Sequence, residues 1–191
     1  MCSVEMLLFC EQFYKPQLFA PLCESCPRYG AQWSCPPFET DPIDKFKQFA
    51  YIHLLVSRVE TENVAFASSE EVAEYCHQLM FRVRLALDRE LIALERCQQS
   101  GGAMAFLPGY CHWCVPENCT RGRGKNCCKP HLVRPSLEAV GFDLSSAVER
   151  LTFRPMIWSK AGEMPQYLTF VSAVASQGAH LCGTNRLNAS V

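Results

Sequence analysis

Seven of the thirteen cysteines in this chain fall into two groups whose spacing suits inorganic ions. The denser group is Cys111-x2-Cys114-x4-Cys119-x7-Cys127, with Cys128 directly behind. The other is Cys23-x2-Cys26-x8-Cys35, in PLCESCPRYGAQWSCPPF. A Cys-x2-Cys turn lets the backbone fold as a knuckle around one metal, bringing two sulfurs within reach of it. Two further thiolates from the same loop would close a tetrahedral site, or hold the irons of a cubane cluster.

Which metal this is depends on spacing. A zinc ribbon pairs two knuckles about 15–20 residues apart. Here 84 residues separate Cys26 from Cys111, and each knuckle has further cysteines nearby. A 4Fe–4S cluster tolerates the uneven spacing, so one or two iron–sulfur clusters are favoured, with zinc as the alternative. Zinc would also admit His112 or His131 in place of a cysteine. Four thiolates in the second loop would close a cluster, whereas three in the first leave one position open, or completed by Cys2 or Cys10. Arg121, Arg123, Lys125 and Lys129, with Arg134 beyond, would sit beside an anionic cluster and raise its potential. Such a basic loop also serves as a solvated surface or a docking patch for an acidic partner. Tyr29 and Trp33 could limit water around the first group, or simply pack.

The rest of the chain bounds the setting. With 191 residues it has material for one hydrophobic core, and a single domain over 1–191 is expected. Hydrophobic residues make up 49% and charged residues 19%, which excludes a disordered chain. A net charge of −1 points to neither nucleic acid nor an anionic membrane. The opening MCSVEMLLFC has no basic segment before its apolar run, and Glu5 interrupts it, so it reads as neither signal peptide nor membrane span. Without an export signal, many cysteines point to metal rather than disulfides and to a cytoplasmic protein.

Several elements must carry these loops. Residues 3–9 suit a short strand or a helix start, and Pro27, Gly30, Pro36 and Pro37 predict an irregular loop for Cys23, Cys26 and Cys35. Asp41-Pro42 opens a short helix with Ile43, Phe46 and Ala50 on one face. Tyr51 to Val59 alternates as a strand, with Ile52, Leu54 and Val56 on one side and His53, read as packed or surface, on the other. Ser68-x-x-Glu71 is a capping box for a long helix ended by Gly101-Gly102. Its apolar stripe runs Val72, Cys76, Leu79, Val83, Leu87, Leu91 and Leu94, and Arg82, Asp88, Arg89, Glu90 and Glu95 cover the remaining faces. Cys76 and Cys97 read as structural. Ala103 to Leu107 is a strand leading to Gly109 and the second cysteine loop. A helix from Pro135 to Val140 stops at Gly141, Asp143 or Ser145 caps another, and Tyr167 to Val174 is the final strand. The tail from 176 to 191 reads as loosely held, with Cys182 isolated. The expected class is α+β, a small mixed sheet with one long helix, several short helices and cysteine-rich metal-binding loops.

With both groups in view, the sequence resembles a family of predicted metal-binding proteins, domain of unknown function 2284. The residues that carry the resemblance are Cys23-x2-Cys26-x2-Tyr29-Gly30-x2-Trp33-x-Cys35-Pro36-Pro37, then Cys111-x2-Cys114, Cys119 and Cys127-x2-Pro130. It continues through Arg134-Pro135-Ser136-Leu137-Glu138-Ala139-x-Gly141-Phe142-Asp143. This alignment makes Cys127 the family cysteine and Cys128 an addition, with Val115 to Asn118 widening the gap before Cys119. The resemblance implies metal binding and names no reaction.

Three functions follow. An iron–sulfur protein would pass electrons to a redox partner protein or serve as an accessory redox subunit. An open iron on Cys23, Cys26 and Cys35 would act as a Lewis acid in an enzyme on an unknown small substrate. A zinc site would fix the fold or hand metal on. The sequence carries no dinucleotide-binding glycines, no P-loop and no HExxH.

Overall fold

The computed structural model describes residues 1–61, 66, 68–98, 102–114, 119–157 and 163–183. Val115 to Asn118, Gly101 and residues 184–191 of the expected tail therefore lie outside the described residues.

The N-terminal apolar run takes both conformations that its sequence allows. Cys2–Glu5 is a strand (β1), and Met6–Phe13 follows directly as a helix (α1) that buries Met6, Phe9, Cys10 and Phe13. A second helix, α2, spans Pro16–Glu24 with proline in its first turn. Asp41 caps α3 (Pro42–Phe46), its Oδ1 accepting from the Ile43 N–H at 3.0 Å. Ile43 and Phe46 are buried as expected, but Ala50 lies beyond the helix end and is exposed.

The strand β2 runs Tyr51–Glu60 and pairs with β1 on one side. Ser68 Oγ accepts from the Glu71 N–H at 3.2 Å and starts α4, Ser69–Cys97, of 29 residues. The strand β3 is Ala103–Phe106, α5 is Leu144–Thr152 capped by Asp143, and β4 is Tyr167–Ser176. The sheet order is β1-β2-β4-β3, and every pairing is antiparallel rather than mixed. The strands β2 and β3, joined by α4, run parallel to each other, and β4 inserts between them antiparallel to both, so no two adjacent strands are parallel. The α+β class stands.

Alternation along β2 and β4 buries both faces of the sheet. Ile52, Leu54, Val171, Ala173 and Ala175 pack with α1, α3, α5, Phe106 and Phe142. Leu55 and Val174 pack with Leu91, Ile92 and Leu94 of α4 and with Leu107 and Leu181. Leu181, in the tail expected to be loose, is buried with them.

The long helix departs from its predicted stripe at mid-length. Cys76, Leu79, Val83 and Leu87 are half-buried, whereas Arg84 and Asp88 are buried. Asp88, assigned to the outer face by charge alone, is fully enclosed. It is tolerated there because Arg84 Nη2 donates to its Oδ2 at 2.9 Å, an i,i+4 pair. The segment expected as a helix from Pro135 shortens to a 3₁₀ turn at Glu138–Val140. Gly141 ends that turn at φ +101°, and a Cβ there would meet Pro16 Cα at 2.8 Å. Glycine therefore lets the turn lie against the start of α2, a contact fixed by the Lys15 N–H donating to Gly141 O at 2.8 Å.

His53 is packed, as expected, and fully buried. Its Nε2 faces Ser176 Oγ at 2.9 Å and Gly178 O at 3.0 Å, while Nδ1 faces Ser3 Oγ at 2.8 Å. Because a carbonyl only accepts, Nε2 carries the proton and Nδ1 accepts from Ser3. Burial pushes the imidazole pKa below its usual value, opposed by the Gly178 carbonyl and reinforced by His180. The unfolded chain then binds more protons, so this contribution is complete above about pH 6.5 and is lost as pH falls below it. Urea melts at about pH 7.5 and 5.5 should show wild type losing stability on acidification. His53→Gln should lose measurably less, and an identical acid loss in both proteins would show that His53 is not the cause.

Candidate metal centre

Short backbone bonds set the first cysteine loop. Cys23 is not on irregular chain as expected but on the final turn of α2, because Pro27, Pro36 and Pro37, which break the loop, come only after it. The Cys26 N–H donates to Cys23 O at 3.0 Å, and the Gly30 N–H to Pro36 O at 2.8 Å. Gly30 sits at φ +66°, which a side chain would strain. These turns put Cys35 and Cys26 next to Cys23, whose thiol pKa is pushed up by burial first, then by Cys35, Cys26, Glu138 and Glu24. Burial also raises Cys35, against the Ser34 hydroxyl, Arg28 and Arg121. The suggested completing residues are engaged elsewhere: the Cys2 thiol faces Leu151 O at 3.3 Å, and Cys10 belongs to the aromatic core.

The second loop is anchored at both ends. It leaves β3 through Gly109 at φ +69° and returns at Arg134, whose Nε donates to Glu95 Oε2 at 2.7 Å. The same Glu95 oxygen accepts from the Ala105 N–H at 2.6 Å, so a residue read as surface charge ties helix, strand and loop together. Cys111, Cys114, Cys119 and Cys127 all line one small cavity of about 20 Å³, with Trp33, Trp113 and Val133 also in its wall. Burial raises Cys111 above the ordinary thiol value, with Cys119 and Cys127 adding to it. Cys114 is pushed up to about 11, by burial and then by its bond with Cys128. Cys128, the addition, has its Sγ 3.4 Å from Cys114 Sγ, and Cys127 Sγ accepts from the Lys129 N–H at 3.4 Å.

The two loops, far apart in sequence, touch. The Cys111 N–H donates to the buried Ser34 Oγ at 2.9 Å. Arg121, on a 3₁₀ turn at Arg121–Arg123, reaches back across to the first loop. Its Nη1 donates to Gln32 O at 2.8 Å and to Cys35 O, its Nη2 donates to Pro37 O, and its guanidinium stands 5.3 Å from the Trp33 ring centre. Lys129 Nζ donates to Trp113 O at 2.7 Å. Part of the basic character of this loop is therefore structural rather than free for a partner. Trp33 lines the cavity of the second loop rather than lidding the first, and Tyr29 is exposed.

The histidines offered as zinc ligands are placed differently. His112 is buried, its Nε2 2.6 Å from Asp88 Oδ2, with its ring stacked on Trp113 at 4.8 Å between centres. His131 is exposed on the 3₁₀ turn Pro130–Leu132. The Asp88–His112 contact is a feature that sequence reasoning missed. Cys182 is not isolated: its Sγ lies 2.7 Å from Cys97 Sγ, and the Gln98 side chain holds its backbone on both sides.

Among the described residues, no three Cys, His, Asp or Glu side chains stand close enough to hold one ion as placed. The donor set nonetheless fits a thiophilic metal. Half-buried thiols with raised pKa values, as at Cys23, Cys35, Cys111 and Cys114, need a cation to stabilise their thiolates. Two residues of the same wall, Trp33 and Trp113, have indole N–H groups without a hydrogen-bond partner among the described residues, and such donors bond well to metal-bound sulfur.

An α+β chain with two cysteine loops stitched together is thus a metal-binding scaffold in its chemistry. The chain belongs to the DUF2284 family of predicted metal-binding proteins, whose profile matches residues 11–174. No curated protein and no solved structure matches it. No described helix is long and apolar enough to cross a membrane.

Proposed function

We propose that the chain is a cytoplasmic iron–sulfur protein, with a 4Fe–4S cluster on Cys111, Cys114, Cys119 and Cys127 and a redox role toward a partner protein. The observation that carries this reading is one cavity walled by four thiols and by two residues whose indole N–H groups are unpartnered among the described residues. The cluster would supply one-electron chemistry. The residues around it bind and tune: the cysteines ligate, the indoles donate to sulfur, and the Lys129 charge beside Cys114 offsets the negative charge of the thiolates. Cys23, Cys26 and Cys35 form a second set for a three-thiolate site. A cubane needs more room than about 20 Å³, so its assembly would move the 111–129 loop outward.

Zinc is the second reading, favoured by one contact. The Cys114–Cys128 distance of 3.4 Å is near the spacing of about 3.8 Å between thiolates on tetrahedral zinc. Anaerobic purification followed by iron, sulfide and zinc analysis separates the two. The iron–sulfur reading expects about four irons and four sulfides per occupied site, with visible absorption that dithionite bleaches. It also expects Cys119→Ser to abolish that signal and Cys128→Ser to preserve it. A colourless protein with stoichiometric zinc, lost on Cys128→Ser, would establish zinc instead.

A further inference from the structure

A second cavity, of about 310 Å³, opens beside α4 and is unrelated to thiol chemistry. This volume is at the lower end of the range for small-molecule sites, about 300–1,000 Å³. Its apolar wall includes Met80, Phe81, Met156, Phe170 and Val171, of which Met80 and Phe81 are exposed at its mouth. Its polar wall includes His77 and Tyr110 together with four residues, Arg84, His112, Glu138 and Thr169.

Those four polar residues share an unusual condition. Ten buried side-chain nitrogens and oxygens lack a hydrogen-bond partner among the described residues, and four of them are Arg84 Nε, His112 Nδ1, Glu138 Oε2 and Thr169 Oγ1. A buried polar atom left unpaired is destabilising, and native proteins rarely tolerate several in one place without a guest or ordered water. Arg84 and His112 are 7% and 8% exposed, so bulk solvent reaches little of either.

The kind of guest follows from charge and from donor direction. The Arg84 guanidinium is already neutralised by Asp88 at 2.9 Å, so no uncompensated cation remains to hold an anion. Burial pushes the Glu138 carboxyl pKa up, which also favours an uncharged site. Arg84 Nε–H can only donate. Because His112 Nε2 faces the Asp88 carboxylate, it carries a ring proton, so Nδ1 is the nitrogen left toward the cavity, and Glu138 Oε2 in the same wall can accept a hydrogen bond. Thr169 can do either. A complementary ligand therefore needs both an acceptor and a donor, and an apolar body of roughly one ring to lie against the two methionines and Phe170.

We propose that this cavity binds an uncharged small molecule with an amide-like or hydroxy-carbonyl head and an apolar body. The head faces Arg84, His112 and Thr169. Trp113, stacked on His112, belongs to the wall of the thiol cavity. The two sites thus meet across one pair of rings, although the ligand site does not depend on which metal the cysteines hold.

The test uses the full chain with Met methyl groups labelled for NMR, and benzamide and benzoate as matched probes. Benzamide should shift the Met80 and Met156 methyl signals saturably, with a dissociation constant of about millimolar, as expected for so small a molecule. Benzoate should bind at least about ten-fold more weakly. Thr169→Val should weaken benzamide several-fold. Met80→Trp, at an exposed helix position where folding tolerates change, should block the mouth and remove the Met156 response. No saturable shift with benzamide would overturn the site. Equal or tighter binding of benzoate would overturn the uncharged class, and unchanged binding in Met80→Trp would place the probe elsewhere.

Discussion

Asp88→Ala should lower the unfolding free energy by about 3–5 kcal/mol, the range for removing one partner of a buried ion pair. Asp88 is fully enclosed and meets Arg84 Nη2 at 2.9 Å and His112 Nε2 at 2.6 Å through the same oxygen. Its loss leaves a guanidinium desolvated without a counter-charge and an imidazole N–H without an acceptor. Single domains have only about 5–15 kcal/mol to lose, so the variant should be marginal at body temperature. The double change Arg84→Met with Asp88→Ala should recover part of the loss, since it removes the uncompensated charge together with its partner. Urea denaturation of the two variants beside wild type measures this directly. If Asp88→Ala stayed within about 1 kcal/mol of wild type, the carboxylate would have to be hydrated and the Asp88–His112 contact would not be holding α4 to the loop.

Arg121→Lys should weaken metal binding by about 10–100-fold while leaving the sheet and helices intact. One guanidinium bonds to the carbonyls of Gln32, Cys35 and Pro37, so it fixes the first cysteine loop from a turn of the second. A lysine keeps the charge but is a point donor on a flexible stem, and it cannot reproduce a planar fork addressing three carbonyls. Metal content after dialysis against a graded chelator, with far-ultraviolet circular dichroism as the control for folding, reads the effect. Unchanged metal retention in Arg121→Lys would mean that each loop holds its metal independently of the other.

Much of the scaffold was legible from local signals. The caps at Asp41 and Ser68 act through side-chain oxygens three residues or fewer from the N–H they satisfy, and their sequence signature states that geometry. The alternation of Tyr51 to Val59 likewise described a strand that buries one face on each side. What local pattern could not show was burial decided by distant partners. Asp88 looks like surface charge until His112 is brought to it by the chain after β3, and Glu95 until Arg134 arrives. Cys23 was misplaced because proline punctuation was read across the whole group, although Pro16 starts a helix that carries it. At the candidate centre, spacing grouped the cysteines of each loop, and the structure adds that the two loops meet through Ser34, Trp33 and Arg121. The meeting of Cys97 with Cys182 had no spacing signal at all.

The sheet order has a consequence for biosynthesis. β3 leads straight into the Cys111 loop, and its strand neighbour among the described residues is β4, which the ribosome makes after both cysteine loops. A nascent chain therefore lacks the strand that joins β3 to the sheet until translation passes Ser176, and meanwhile it exposes the open borders of β2 and β3. Loading of metal would then follow completion of the polypeptide rather than accompany it, with the thiols in need of a reducing environment throughout the wait.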